Sequence, residues 1–483
     1  MVNLISVIGG KIRMMTSGAK YTGEKIPGDL DSWSILDSDP NKFLQGTYDD
    51  VSRKSMTLFH TAAPVIGAIE KFTDYAVGDG LSFRSQPDYS VIGMSEEEAE
   101  EWAKTFEKEV FREMKRLNFF QKQTILFRTA LAGGDGLLFF LRDGNELDLI
   151  ELPGSIIDAN KNESDINGEL VTMGIIHDRF YRRLGFYDQD GNKTYFAENG
   201  RQNAVQFNIK LLARQLRGYP LAYSAISNAK NDDRFNDATL ASAIIESMIV
   251  GFTDSSDPEA VEEQIKNAAS LSRSRGSGLL KKMMQSLGSV RNLSPGNILN
   301  FRSGGKMQTV DKKTPSNTYG MFKEWNTNYM GMHLRIPPEV MMSKYNTSYT
   351  AHKGAKNDFK RAYLRMRANF ADTVCQPVLR EITINLILSG IIKAPGFFNS
   401  RRFQDAYLSG KWYGPTDGFI NPLQETNAVI KSIDNGLALR SDELFNDSGL
   451  DYETYMSRWE AEQERFYRAR NKNEQQQKVV VDE

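Results

Sequence analysis

Apolar positions recur at helical spacing from Thr57 to Val77, where Phe59, Ala62, Ile66, Ile69 and Phe72 share one face and Gly78-Asp79-Gly80 ends the run with turn residues. A second helix is predicted over 95–117. Ser95-Glu96-Glu97-Glu98 is a capping box, and Trp102, Phe106, Val110 and Met114 follow on one face. Phe119–Ala132 repeats the pattern. After Gly133-Gly134-Asp135-Gly136 the period shortens to that of strands: Leu137-Leu138-Phe139-Phe140-Leu141, Leu147–Leu152, Thr172–Ile176, and a hairpin from Phe186-Tyr187 through Asp190-Gly191 to Tyr195-Phe196. Ahead of these elements, residues 1–16 suit a short helix, and 17–55, rich in Gly, Ser, Asp and Pro, suit an extended arm.

Leu221–Phe252 has no proline after Pro220 and no glycine before Gly251, and reads as one long helix. Its charge is mostly acidic, with Asp232, Asp233, Asp237 and Glu246 against Lys230 and Arg234. Residues 264–313 invert the sign, carrying ten Lys/Arg opposed only by Asp311. Pro315-Ser316-Asn317 leads another helix through Phe322, Trp325, Tyr329 and Met332, which must end at Pro337-Pro338 because proline lacks the amide donor. Residues 339–350 read as a polar loop whose one cation is Lys344. A third long helix runs from about Ala351 to Leu388. On it Lys353, Lys356, Lys360 and Arg367 lie within about 60° of one another, beside an apolar face of Phe359, Tyr363, Met366, Phe370 and Val374. Helical patterns return at 421–435 and 441–470, and the Gln475–Gln477 run with the charged end is expected to fray. Core packing is expected for most of the methionines at 283–284, 330, 332 and 341–342.

Composition changes this picture in three ways. At 483 residues more than one domain is expected, since a single core rarely grows past roughly 250–300 residues. The balance of 60 Lys+Arg against 62 Asp+Glu gives no bulk charge to hold phosphate, so any contact with nucleic acid must come from the segregated patches. One cysteine, Cys375, permits no internal disulfide and no Cys-based zinc cluster. No apolar run approaches the roughly 20 residues of a membrane span, and Val2-Asn3-Leu4-Ile5 lacks the cationic start of a signal peptide.

Candidate chemistry is sparse. The four histidines (His60, His177, His333, His352) form no H-E-x-x-H pair. Gly304-Gly305-Lys306-Met307 lacks the spacing and the hydroxyl of a P-loop, and no G-x-S-x-G occurs. Asp188-x-Asp190-x-Asn192 superficially matches a calcium loop, but its glycine and distal glutamate are misplaced and a plain hairpin turn is expected. No catalytic residue, metal or cofactor is therefore expected. A DNA-processing enzyme whose carboxylates assemble from distant positions stays open from the residues alone.

The order of elements carries more information than any one of them. Gln215-Leu216-Arg217-Gly218-Tyr219-Pro220-Leu221, followed by the acidic helix, resembles the R-G-x-P-long-helix element of lambda-type tailed-phage portal proteins. So do Leu293-Ser294-Pro295-Gly296-Asn297-Ile298-Leu299, then Pro315, Tyr319 and Phe322, then Leu334-Arg335-Ile336-Pro337-Pro338-Glu339, then Tyr345-Asn346-Thr347-Ser348-Tyr349. The similarity spans roughly 50–400. It departs from the family in His352-Lys353, where an arginine often stands, and in Asn346, where an Asp-Tyr pairing is common.

The resemblance implies an α+β portal-type fold. Its parts would be an N-terminal arm (1–55), an α+β wing (56–220 and 351–440), stem helices (221–252 and 315–335), a small α/β clip (253–314), a tunnel loop (336–350) and a helical crown with tail (441–483). It implies a ring, usually a dodecamer, at one capsid vertex, through which double-stranded DNA enters during packaging and leaves during infection. The partners implied are the packaging terminase, head–tail adaptors, and the major capsid and scaffold proteins, with no membrane. The setting implied is the virion, with assembly in the host cytoplasm. The DNA tunnel is expected to involve Lys344, Asn346, His352, Lys353, Lys356, Asp232, Asp233, Asp237 and Glu246. The clip is expected to dock partners through Lys281, Lys282, Arg291, Arg302 and Lys306. Another ring-forming virion connector is the second alternative.

Overall fold

The structure is a computed structural model that describes residues 39–144, 146–163, 169–253, 297–299, 307–309, 317–343, 349–415, 422–448 and, near the end of the chain, 452, 455–457 and 459–468. Its first elements fall inside the segment read as an arm. Pro40–Leu44 (α1) starts where the Asp39 carboxylate accepts the Asn41 amide at 2.9 Å, with Pro40 in the first turn, where no donor is needed. Tyr48–Thr61 (α2) follows after a turn at 45–47 with Gly46 at φ +77°, and Leu44 and Tyr48 are buried, so most of 40–55 is packed helix. The helix expected over 57–77 is two. Pro64 has no amide to continue α2, so the chain turns extended at Ala62 and restarts as Ala63–Ala76 (α3).

Ser82–Ser85 (β1) and the single turn Tyr89–Ile92 (α4) lead to Glu96–Arg116 (α5). The capping box of α5 forms as read: Ser95 Oγ accepts the Glu98 amide and the Glu98 carboxylate accepts the Ser95 amide. Phe119–Gly133 (α6) runs into Asp135–Asp143 (β2) and Glu146–Pro153 (β3), an antiparallel hairpin in which Phe139 faces Ile150. Four short strands form an antiparallel meander: Leu170–Thr172 (β4), Ile175–His177 (β5), Arg183–Tyr187 (β6) and Lys193–Tyr195 (β7). In its last turn both oxygens of Asp188 accept from Asn192, at 2.7 and 3.0 Å. Ala197–Glu198 (β8) and Arg201–Gln202 (β9) pair with each other, and Ala204–Asn208 (β10) pairs with β2.

The run 137–140 is apolar because this part of β2 is covered on both faces, while Leu141 at its end is exposed. Leu138 and Phe140 point into the main core with Phe127, Phe207 and Phe370, while Leu137 packs on the opposite side with Ile157, Ile175, Phe186 and Leu216.

Ile226–Met248 (α7) begins after the tight turn Tyr223–Ala225 and stops before 252, because the β-branched and aromatic Ile249-Val250-Gly251-Phe252-Thr253 pairs instead as β11. Asn297–Leu299 (β12) lies parallel to β11 and Met307–Thr309 (β13) antiparallel, in the order β12-β11-β13. The chain returns as Asn317–Leu334 (α8). Pro338–Met342 (α9) then occupies the start of the segment read as loop. Tyr349–Phe370 (α10), a π turn at Ala371–Cys375 and Gln376–Leu388 (α11) form the third long helix. Arg401–Tyr407 (α12), Gly410–Tyr413 (β14), Pro422–Asp434 (α13) and Arg440–Ser448 (α14) complete the described chain with helix at 459–468. β14 pairs with β1, Ser82 opposite Tyr413. The main core gathers α3, α5, α6, α10 and α11 around Phe72, Phe106, Phe127, Phe359 and Phe370.

Candidate functional site

Two helices leave the main core side by side. α7 and α8 run antiparallel: Phe235 stacks on Tyr319 with ring centroids 5.7 Å apart and meets Phe322 at 4.0 Å, and toward the base Asp232 reaches Lys323 and Asn326. Lys323 Nζ donates to both Asp232 oxygens, at 2.7 and 2.6 Å, and Asn326 Nδ2 donates at 2.8 Å. Asp232 is 8% exposed. Its charge is thus directed between the helices and neutralised there. The acidic reading of 221–252 weighed the helix alone, and the compensating lysine sits on its partner. Asp233 and Asp237 are exposed. Glu246 lies within the helical backbone, and its side chain is outside the described residues.

α8 ends where Gly331 packs beneath Ile336, whose carbonyl oxygen would lie 2.8 Å from any Cβ there, and Arg335 takes φ +58° to turn the chain into Pro337-Pro338. Lys344 and Asn346 lie outside the described residues, as do Lys281, Lys282, Arg291, Arg302 and Lys306. His352, Lys353 and Lys356 occupy the first turns of α10, with Lys353 exposed and the other two half-buried.

The apolar face of α10 is as expected, with Phe359, Tyr363, Met366 and Phe370 buried. Its basic stripe is displaced. Arg367 turns back to donate to the carbonyls of Ala76, Tyr75 and Pro415, each at 2.8 Å, and so closes the C-terminus of α3. The exposed cations of α10 are Lys353, Lys360, Arg361 and Arg365.

The R-G-x-P element fixes the chain where it enters α7. Arg217 is wholly buried, and its Nε donates to Asp135 at 2.6 Å while its two terminal nitrogens reach the carbonyls of Met173 and Gly154 at 3.1 and 2.8 Å. Asp135 also accepts from Tyr48 Oη, Gln206 Nε2 (2.9 Å), Asn208 Nδ2 (3.0 Å) and the Gly218 amide (2.9 Å). The guanidinium lies over the Tyr48 ring at 4.1 Å.

Burial pushes the Tyr48 phenol well above its usual range, and the neighbouring Asp135 adds to the rise, so it remains a donor. Burial works against the Arg217 cation, but Tyr48 and Asp135 outweigh it and hold the guanidinium protonated. Only glycines fit the crossing: a Cβ on Gly218 would fall 1.9 Å from the Gly134 carbonyl oxygen, and Gly134 itself takes φ +101°. Three residues on, the Leu221 amide donates to Leu131 O at 2.8 Å and delivers the chain to α7.

A second buried carboxylate ties α11 to the sheets. Glu381 has no exposed surface and accepts from Arg201 Nε (2.7 Å), Arg142 Nη2 (3.0 Å) and the Gln202 amide (2.8 Å). The Arg217 cluster is closed to solvent, whereas Arg142 and Arg201 keep part of their side chains exposed. Among the described residues, no group of three or more His, Cys, Asp and Glu could hold a metal ion, and no helix is long and apolar enough to cross a membrane. The roles of Lys323, Asn326, Asp135 and Arg217 were missed in the sequence. Only the Arg-Gly-x-Pro string hinted at one of them.

Residues 27–367 match the sequence profile of a family described as phage portal protein, lambda family. No curated protein matches the chain. Solved structures similar to it include the virion of a native gene transfer agent particle, at TM-score 0.38 and 13% identity over 90% of this chain and 97% of that one. They also include the neck of an empty particle of that agent, computed with C6 symmetry (0.37, 12%, 89% and 96%), and the neck of the native particle with C12 symmetry (0.36, 12%, 81% and 92%).

Proposed function

The chain belongs to the lambda family of phage portal proteins, and from that premise we propose that it forms a dodecameric ring at one capsid vertex, a conduit for duplex DNA and a platform for the packaging motor and the tail adaptor. The observation that carries the reading is the family match over 27–367, which takes in both helices of the pair, the strands between them and the segment before Tyr349. In this reading α7 and α8 are the stem, β11–β13 belong to the clip, and Lys344, Asn346, His352, Lys353 and Lys356 line or approach the tunnel.

A conduit must not hold its cargo, because every phosphate neutralised releases counterions and deepens the trap against sliding. Asp233 and Asp237, exposed on α7, suit a wall that repels DNA. Lys344, repeated once per subunit, would give a ring of weak contacts to the backbone that read no sequence. The basic clip residues Lys281, Lys282, Arg291, Arg302 and Lys306 would face an acidic surface on a partner protein. The role is mechanical, and the motor that hydrolyses ATP is a separate protein.

Electron microscopy of the purified chain tests this. Closed rings with a central channel are expected. A monodisperse monomer under all conditions, or metal-dependent cleavage of duplex DNA by the pure protein, would overturn the reading.

A further inference from the structure

Two loops of the wing, 178–182 and 209–214, are built to keep apolar side chains in solvent. Phe180, Leu211 and Leu212 are 65%, 44% and 55% exposed. Nothing about the loops is slack. Asp178 accepts the amides of Phe180 and Arg182, both at 2.9 Å, and pairs with Arg182 Nε at 2.6 Å. The second loop is held from behind by two buried amides. Gln215 Oε1 accepts the Leu211 and Leu212 amides at 2.8 and 3.2 Å, and Asn41 Nδ2 donates to the Arg214 carbonyl at 3.0 Å.

Tyr181 and Arg214 both take left-handed backbone, at φ +62° and +64°, which costs a non-glycine residue free energy that the surrounding bonds must offset. The loops touch: the Arg214 guanidinium lies over the Tyr181 ring at 5.6 Å, and that ring stacks on His177.

The charge of the two loops themselves is one-sided. Across the two loops Arg179, Arg182, Lys210 and Arg214 face a single carboxylate, Asp178, which is already engaged by Arg182. We propose that Phe180, Leu211 and Leu212, with Arg179, Lys210 and Arg214 beside them in the same two loops, form a preformed docking surface for an acidic segment of a partner protein that carries apolar side chains between its carboxylates. Cations with exposed apolar anchors favour such a segment by charge and by burial together, and rigid loops lower the ordering cost of binding. Duplex DNA would use the cations but gain nothing from Leu211 and Leu212, which have no flat face to stack. Neither loop is a helix, the form that lays an apolar face into a bilayer surface.

The test uses the full chain and a short fluorescent peptide alternating Glu or Asp with Leu and Phe, read by anisotropy, with a control peptide in which every acid is lysine. Binding of the acidic peptide alone is expected. It should weaken by about ten-fold or more both in Lys210→Glu with Arg214→Glu and in Phe180→Ser with Leu212→Ser. All four side chains are at the surface, so the melting temperature should not move; Arg214→Ala replaces the charge-reversed pair if it does. Equal binding of the two peptides, or binding indifferent to both variants, overturns the proposal. Vesicles containing phosphatidylglycerol provide the third arm: binding to them that both variants abolish, with no peptide binding, transfers the surface to a membrane and also overturns it.

Discussion

Arg217 and Asp135 form an ion pair 2.6 Å long with neither side chain exposed to water, shortly before the chain enters α7. The pair joins positions far apart in sequence and is completed by Tyr48, Gln206, Asn208 and the Gly218 amide. Breaking one side leaves a buried charge without its partner.

Asp135→Asn or Arg217→Met should each cost about 3–5 kcal/mol. Replacing both partners by apolar residues, Arg217→Met with Asp135→Leu, should cost less than either single change predicts by addition. Denaturant midpoints at unchanged slope measure this, and single losses under about 1 kcal/mol would refute the role of the node.

The bond from Lys323 to Asp232 fastens α8 to α7. Part of Lys323 is exposed, so solvent screening keeps its worth modest, on the order of 1 kcal/mol. A double-mutant cycle of Asp232→Ala and Lys323→Ala should show a coupling of about that size, and strict additivity would show that the aromatic contacts alone hold the helices.

Ser95→Ala should cost about 1 kcal/mol through loss of the cap on α5. The Ser95 amide and hydroxyl hold the Glu98 carboxyl below its usual value, so its contribution is present above the unfolded value of about 4.5 and fades as the pH falls through the lower folded one. Melting curves of the parent and Glu98→Gln should therefore differ near neutrality and converge in acid.

The thiol of Cys375 is wholly buried, and burial, with a smaller effect of Asp372, pushes it well above its ordinary value. Native protein at pH 8 should resist a thiol reagent, and modification should track unfolding in denaturant. Rapid labelling without denaturant would show that the core opens locally at the π turn.

On the portal reading, Asp233→Lys with Asp237→Lys in assembled particles should slow DNA movement and steepen its salt dependence. Lys344→Ala should alter packaging or retention without loss of rings. Unchanged packaging in both variants would remove these residues from the tunnel.

What could be read from the sequence was local. The capping box of α5 lies within four residues, and the switch from helix to strand after Gly133 is a change of period in neighbouring positions. Breaks set by one residue were also there to be found, such as Pro64 between α2 and α3, but the apolar spacing across it masked them. Long-range partners were not legible. Nothing near Asp232 announces Lys323, and nothing near Ser82 announces Tyr413 as its strand neighbour. Arg367 fell on a basic stripe by its angle, yet its length let it turn back to the carbonyls at the end of α3. A helical wheel fixes where a side chain starts, and for arginine that leaves the end of the chain undetermined.

The pairing of β11 with β12 has a mechanical consequence. The two strands run parallel, so the chain leaves β11 at Thr253 and re-enters at Asn297, opposite Ile249, at the other end of the ladder. Tension on the intervening segment therefore pulls the strands along their length in opposite senses. The ladder's hydrogen bonds share that force together instead of parting one after another.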